Sequence, residues 1–472
     1  MEVTKRCFLQ ILQAQLAVSF FLLLLPACRS GCDVKLISVK EPSSTGNVLM
    51  KKIQVVSHEK ADLLVRYWET RNSQQVFVTP VSIAKEDHSF SLLFLNPAST
   101  YAYEVVARHK ECENTVVGSG TFDTKEIPAG MQEMIMPAEM QPSLPDKFQH
   151  GYVLTARRDP PGQLYLTDAK GNLAWYHTIG DAGFKVAHYT NNNTILAIVA
   201  PLSYPTSYGD QILEISLAGD TVFQLKKGEK GLDKTIHHDV FYNASQQLVT
   251  ITLEKKVYDL RSVSGTLSDT VTGDGILVLD KKGNKVWSWS VFDVVDPLSD
   301  PHIVRDKADW LHANSLSLDT DGNYLLSFYL SGQIWKIDAK NGKLIWKMGR
   351  DADFTFSPGG PFTESHAVHR TSKNQLMLFE NGVAKRQSSV LVYTLDEADR
   401  KAHVDLSLPL PINLYSERMG SAYFVGDSSM LVCSSQANSV SLAGKNGEIL
   451  WRIRTGFIPY RAEFIDSLPL QQ

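Results

Sequence analysis

The sequence predicts an all-β protein, a small N-terminal β-sandwich followed by a six-bladed β-propeller. Three observations carry that expectation: strand-like alternation with no helical period, a proline-dense stretch that divides the chain, and an internal repeat after it. At 472 residues the chain exceeds one average domain, which leaves room for a small unit beside a large repetitive one.

Residues 33–126 form the expected sandwich. In "ADLLVRYWET" the side chains of Leu63, Val65 and Tyr67 fall on one face and those of Leu64, Arg66 and Trp68 on the other. The segment "LNPASTYAYEVVA" resembles the tyrosine corner of fibronectin type III domains through Leu95, Pro97, Thr100 and Tyr101, with Trp68 as the apolar plug of a sandwich. Residues 127–149 carry four prolines and no usable period. Prolines at that density forbid a continuous helix or central strand, so an extended connector is expected.

From 150 to 465 a unit repeats. Its first marker is a Gly turn followed by an apolar-aromatic strand: "GNLAWYHTI", "GDTVFQLKK", "GNKVWSWSV", "GKLIWKMGR" and "GEILWRIRT". The aromatic positions Trp175, Phe223, Trp287, Trp346 and Trp451 are spaced by 48, 64, 59 and 105 residues, and the last gap is about two units. A degenerate copy around Val404 fills it and brings the count to six. Units of this size cannot bury both sheet faces alone, so they must stack around a ring, with the tryptophans packing between blades.

Composition removes some functions. A net charge of −4 and a pI near 6.4 give no basic face for nucleic acid. Lys5 and Arg6, the apolar run ending "AVSFFLLLLPAC" and the small residues after it read as a secretory signal over residues 1–27, too short for a membrane span. Export to a periplasmic or membrane-anchored location is expected. "LPAC" resembles a bacterial lipobox, so lipidation of Cys28 and ordinary cleavage nearby both stay open. Of the other cysteines, Cys32 and Cys112 either pair or remain small apolar side chains, and Cys433 stands alone. Monomer and homodimer are equally compatible with the sequence.

A second marker follows the first: a strand, a polar turn and an apolar strand. Aligned on the apolar strand, the copies begin at His188, His238, His312, His366 and Ser421. The interval to that strand is ten residues from His238, His366 and Ser421, and thirteen from His312, whose turn "DTDG" is longer. Residues at one repeat position lie at one height and radius of a propeller, so the imidazoles should converge on the channel. His188 aligns least well, because its turn is shorter. Converging imidazoles suit a metal site, covalent catalysis or anion binding, and spacing alone does not choose.

The ordered segments "HGYVLTARRDPPGQLYLTDAKGNLAWY", "HHDV", "DWLHANSLSLDTDGNYLLS", "ESHAVHRTSKNQLMLFENG" and "MGSAYF" resemble the bacterial arylsulfate sulfotransferases. The resemblance implies transfer of a sulfuryl group from an aryl sulfate to a phenolic acceptor through a sulfated histidine, with no cofactor, no metal and no nucleotide sulfate donor. It implies His366 as nucleophile, His238 and His312 as the imidazoles that hold the sulfuryl oxygens and assist the phenolic oxygen, and Asn314 as the amide joining them. Ser421 falls where a hydroxyl would complete the cup. The family arginine on the strand after "HANS" is replaced by Tyr329 or, one residue away, Phe328. Lys336, Arg350 and Arg370 are the nearest cations in sequence, and Arg370 is the substitute carried forward. Asp239 reads as an exposed loop acid, and Glu380 and Asn381 as turn residues. A propeller that binds an anion or protein partner without catalysis, and a metal site at His238, His312 and His366, are the competing readings.

Overall fold

The computed structural model describes residues 33–110 and 112–468. The leader, Cys28 and Cys32 lie outside them. The N-terminal unit is built from β1 (Leu36–Ser44), β2 (Lys51–Glu69), β3 (Phe77–Val78), β4 (Ser82–Leu92), β5 (Thr100–Arg108) and β6 (Thr115–Asp123). Its hydrogen bonding runs through β2, which pairs with β1 and β4 along its first half and with β3 and β5 along its second. The register breaks between Val56 and Ala61, where β2 bends. Ile53, Val55, Leu63, Val65 and Tyr67 are buried as the alternation requires, against Phe90, Leu92, Tyr103 and Phe122. The Tyr101 hydroxyl accepts the Asn96 backbone N–H at 2.7 Å, which pins the loop before β5. The apolar plug is Tyr67, whose hydroxyl donates to the Leu93 carbonyl at 2.9 Å. Trp68 sits on the opposite, half-buried face, because neighbouring strand residues point to opposite sides. Cys112 is disulfide-bonded, and Cys433 is a free, buried thiol.

The connector is not a free spacer. It makes two short helical turns, Ala129–Gln132 and Asp146–Gln149, each entered from a proline, and one short strand, β7 (Glu139–Met140). Proline excludes a central strand but not an edge. Accordingly β7 pairs only on the outer edge of the last blade, and Phe148 packs edge-on to Trp451 at 5.0 Å.

Six sheets follow, antiparallel throughout except for the short β24, which runs parallel to β28 on the outer edge of blade 5. Blade 1 holds β8 (Tyr152–Arg157), β9 (Gly162–Asp168) and β10 (Leu173–Ile179). Blade 2 holds β11 (Gly183–Tyr189) and β12 (Thr194–Ala200); after β13 (Tyr208–Gly209), which pairs with blade 3, come its β14 (Gln211–Ser216) and β15 (Thr221–Lys226). Blade 3 is β16 (Ile236–Tyr242), β17 (Leu248–Tyr258), β18 (Asp269–Leu279) and β19 (Lys285–Ser290). Blade 4 is β20 (Ala313–Leu318), β21 (Tyr324–Phe328), β22 (Gln333–Ile337) and β23 (Leu344–Gly349). Blade 5 adds β24 (Thr355–Ser357) to β25 (Ser365–Arg370), β26 (Leu376–Glu380), β27 (Ser389–Asp396) and β28 (Lys401–Pro409). Blade 6 is β29 (Ser421–Val425), β30 (Ser429–Ser434), β31 (Ser439–Gly444) and β32 (Ile449–Arg454). The last strand, β33 (Pro459–Ile465), returns to pair with β8 and becomes the innermost strand of blade 1. Strands β11, β16, β20, β25, β29 and β33 neighbour one another in a closed ring around the channel.

Tryptophans on the outer strands stitch four of the six blades to the next. Indole N–H groups donate from Trp175 to Leu217, from Trp289 to Gly342 and from Trp451 to Ala169, at 2.7, 2.9 and 2.6 Å, always to a carbonyl in the turn before the neighbour's outer strand. Trp346 reaches the carboxylate of Glu397 in the same way at 3.0 Å. Each ring removes a large apolar surface from water while its one polar atom stays satisfied. In blade 3 the stitching residue is Trp289, and Trp287 stacks on Tyr324 instead.

Inside the ring, Asp239 of β16 is buried and bonded by both terminal nitrogens of Arg461 of β33. The same carboxylate accepts the Leu316 N–H of β20 at 2.8 Å and faces His188 Nε2 of β11 at 3.3 Å. Asp239 is therefore not an exposed loop acid. Asp239→Ala should lower stability by roughly 3–5 kcal/mol, because it leaves the Arg461 charge buried without its partner. Replacing the pair by leucine and methionine should restore most of the loss, as chemical denaturation of the three proteins would measure.

Candidate active site

Five of the six inner strands break register where they begin: Phe184/Val186, His237/Val240, Ala313/Ser315, His366/His369 and Pro459/Ala462. A bulge bends the strand and re-aims a side chain. The backbone is left-handed at or beside three of these points, with φ of 62° at His238, 58° at His312 and 51° at Ala367, and also at Met419, with 61°, in the loop before β29. Non-glycine residues hold that conformation only where the surroundings over-determine it, and such strain gathers at functional sites.

The bulges turn three imidazoles into one cavity of about 460 Å³, large enough for an aryl ester and also lined by Tyr208, Asp309, Tyr329, Leu330, Arg418 and Met419. The rings of His238 and His312 meet edge to face at 5.2 Å. Tyr329 lies between His312 and His366, at 6.0 and 5.4 Å from their ring centres, and its hydroxyl donates to the Glu417 carbonyl at 2.9 Å.

Each imidazole has a different partner. The Asn381 amide donates to the carbonyls of Ser416 and Met419, at 2.7 and 2.8 Å, which fixes its own oxygen toward His366 Nδ1 at 2.7 Å. That oxygen can only accept, so His366 carries its proton on Nδ1 and Nε2 keeps its lone pair. Nε2 is approached only by the Met419 N–H, at 3.2 Å. Burial first, and then the neighbouring His312 and Arg461, push His366 down to about 3 despite the Asn381 bond. It is neutral throughout the physiological range.

His312 donates from Nδ1 to the Asp309 carboxylate at 2.8 Å. Burial disfavours its charge, but Asp309 and, farther off, Asp274 outweigh it and raise the pKa. His238 is driven the other way, well below the ordinary value, by burial and then by His237, His312, His366 and Arg461. Its Nδ1 lies 2.6 Å from His237 Nδ1, whose other nitrogen faces Asp274 at 3.3 Å. The nearby carboxylate favours the His237 tautomer with its proton on Nε2, in which His238 donates from Nδ1 and presents Nε2 as an acceptor.

The other expected site residues fall elsewhere. Asn314 is fully buried and donates to the Ser365 carbonyl at 2.7 Å, tying β20 to β25 just before His366 rather than facing the cavity. Ser421 accepts the Ala462 N–H at 3.3 Å and joins β29 to β33. Arg370 is held at the far end of its strand by Asp319 and Glu397, at 2.8 and 2.6 Å, in a cluster that also contains Lys336. It brings no cation to the cavity. In blade 2 the bulge residue is Lys185, and His188 lies beyond it on Glu463 and Asp239. That contact, opposing the effect of burial, raises His188 to about 9. His188 thus belongs to a smaller cavity of about 220 Å³ at the other end of the channel, shared with Arg461, Glu463 and His369.

Sequence reasoning passed over Asn381, which looked like a turn residue, and Asp309, whose place three residues before His312 was a usable signal. Arg418 and Met419 come from a loop with no repeat to mark them. Among the described residues no grouping of three or more His, Cys, Asp or Glu side chains could hold a metal ion, and no helix is long and apolar enough to cross a membrane.

Comparison with known proteins agrees with the expected family. The solved structures it resembles are distant. A protein of unknown function from Bacteroides caccae is 10% identical, covering 67% of this chain and 100% of its own, at a TM-score of 0.45. A putative 6-phosphogluconolactonase from Bacteroides fragilis is 11% identical over 86% and 98%, at 0.38. Virginiamycin B lyase from Staphylococcus aureus is 7% identical over 67% and 99%, at 0.30. Likenesses this distant carry no functional information, and no curated protein matches. The sequence profile of the Arylsulfotransferase (ASST) family, however, matches residues 138–454, about two thirds of the chain and every blade, and the chain belongs to that family.

Proposed function

We propose that this protein is an exported sulfotransferase that moves a sulfuryl group from an aryl sulfate to a phenol by a ping-pong route, without a nucleotide donor, through sulfated His366. The observation that carries the proposal is the Nε2 acceptor of His366, its tautomer set by Asn381, which sits in the cavity that His312 also lines and is approached among the described residues by the Met419 N–H alone. A neutral imidazole attacks sulfur without a separate base. The nitrogen–sulfur bond forms as the bond from sulfur to the phenolic oxygen breaks, and protonated His312 gives its Nε2 proton to the departing oxygen. A second phenol then attacks the sulfated ring, returns a proton to His312 and leaves with the sulfuryl group. Neutral His238 accepts the hydrogen bond of the incoming hydroxyl and aims its oxygen.

The separated pKa values support this division of labour: one environment removes the charge from His366 and His238, and a carboxylate keeps it on His312. A metal centre at the three imidazoles has no such support. Lys5, Arg6 and the apolar run after them favour export, and "LPAC" favours a lipid on Cys28.

Intact mass after brief exposure to a chromogenic aryl sulfate should show one added sulfuryl group, with phenol released. His366→Ala should show neither, and its rate should fall by at least about 10³-fold. Absence of both adduct and phenol in the wild type would favour a propeller that binds anions without transferring them.

Asn381→Ala should lower kcat on the order of 10²-fold by freeing the ring to turn and change tautomer. The lowered yield of adduct per unit time would be read on a protein whose circular dichroism is unchanged.

The alkaline limb of kcat/KM for the donor should report His312. Its raised pKa extends the pH range over which the ring holds its proton, and activity falls as pH rises through that value. Asp309→Asn removes the main source of the raise, so the limb should move to lower pH; an unmoved limb would assign the acid to another group.

A further inference from the structure

Two buried cations near the cavity make no ion pair among the described residues. Arg158, directly after β8, is buried; its Nε lacks a partner, and among the described residues the guanidinium makes no hydrogen bond or ion pair. Lys185, the bulge residue of β11, is almost wholly buried, and its Nζ reaches only the Tyr204 carbonyl, at 3.4 Å. The two segments are locked together. Gly183 packs so closely on the Arg158 carbonyl that a β-carbon there would lie 1.6 Å from the oxygen, and Gly162 N–H bonds the Ala182 carbonyl at 2.8 Å.

Unpaired buried cations are costly, and buried charges are ordinarily paired. Elsewhere in this chain the rule is kept: Arg461 has Asp239, and Arg370 has Asp319 and Glu397. Burial lowers the pKa of both Arg158 and Lys185; Arg418 depresses Arg158 further, and Arg158 depresses Lys185. Asp159 opposes the shift at both and Asp210 at Lys185, in neither case through an ion pair. Neither side chain lines the catalytic cavity itself, but both are tied to its wall. Arg158 is close enough to Arg418 to feel its charge, and Arg418 lines the cavity without an ion pair among the described residues. The segment that caps Lys185 through Tyr204 continues into Thr206, Ser207 and Tyr208, which form the cavity wall.

We propose that Arg158, Lys185 and Arg418 form an anion subsite beside the reacting imidazoles, which takes a second negative group on the aryl substrate, such as a ring carboxylate or a second sulfate ester. The preferred substrates are then aryl sulfates and phenols that carry a further anionic substituent. The identity of the substrate rests on the sulfotransfer proposal; the anion subsite itself does not.

The test compares phenyl sulfate with 4-carboxyphenyl sulfate as donors in the wild type, Arg158→Gln and Lys185→Met. The wild type should favour the carboxylated donor in kcat/KM by roughly tenfold or more, and each substitution should collapse that ratio toward one. No preference in the wild type, or a preference that both variants keep, would overturn the subsite as a determinant of specificity. Calorimetric binding of benzoate and inorganic sulfate separates the two proposals. Benzoate bound by the wild type and by His366→Ala, but not by Lys185→Met, supports the subsite even if no sulfotransfer is found. Tighter binding of inorganic sulfate than of benzoate, lost in the same variant, would make it a site for a free anion and overturn the substrate assignment. Lys185→Met should melt no lower than the wild type in anion-free buffer, since it removes an unpaired buried charge. A large drop would show that the lysine serves the fold and would also overturn the proposal.

Discussion

The pair between Arg461 and Asp239 is the constraint on which the rest of the propeller depends. It spans the channel from β33, the strand that closes the ring, to β16 of blade 3, and the same two residues bond β20 through the Leu316 N–H and the Asn314 carbonyl. His188 adds β11 to the set. An ion pair so buried contributes little net stability compared with a well-packed apolar pair, but either half alone would be strongly unfavourable. Its consequence is specificity: only the closed ring brings β33 to β16. It also divides the channel, with the imidazole cavity on one side and the smaller cavity of His188 and His369 on the other.

The same charge tunes the site. Arg461 is among the groups that depress both His238 and His366, after burial itself. One guanidinium, neutralised by its own carboxylate for the purposes of folding, still makes protonation of nearby rings less favourable. Against that background the partner of each ring decides its state. An amide on His366 fixes a tautomer without stabilising an imidazolium, and a carboxylate on His312 stabilises one. Exchanging those two partners in sequence would exchange the chemistry, although all three histidines sit at equivalent points of their blades.

The architecture was legible because a propeller writes itself as a repeat. The outer-strand aromatics and the spaced histidines gave blade number and order, and the alternation Leu63, Val65, Tyr67 gave the buried face of β2 without any tertiary information. Trp68 was misread because a plug was sought by residue type, whereas alternation already assigned the inner face to Tyr67. The site was legible down to three imidazoles and Tyr329, and no further. Ser421 shares the repeat position of the histidines and Asn314 follows His312 by two residues, but local strand geometry decides which neighbour faces the channel, and bulges have no signature in a single sequence. Asn381 and Arg461 act at long sequence separation, where periodicity says nothing. His188 failed for a related reason: aligning it on the following strand ignores the bulge at Lys185, which shifts every later residue of β11 down the channel.

The absence of an arginine beside Tyr329 has an electrostatic answer. A sulfate monoester carries a single negative charge, and the sulfuryl group in flight is formally neutral, so the charge that develops during transfer gathers on the departing phenolic oxygen. That is where compensation is worth most, and it is where a protonated His312, held by Asp309, can place a donor. The sulfuryl oxygens need orientation more than charge. The Met419 N–H, fixed by a left-handed backbone and already aimed at His366 Nε2, is a preorganised dipole at the point where those oxygens must pass. With Tyr329 walling the same space, the cavity trades a mobile cation for a rigid aromatic face and a backbone donor. Such a site loses little in stabilising a singly charged ester.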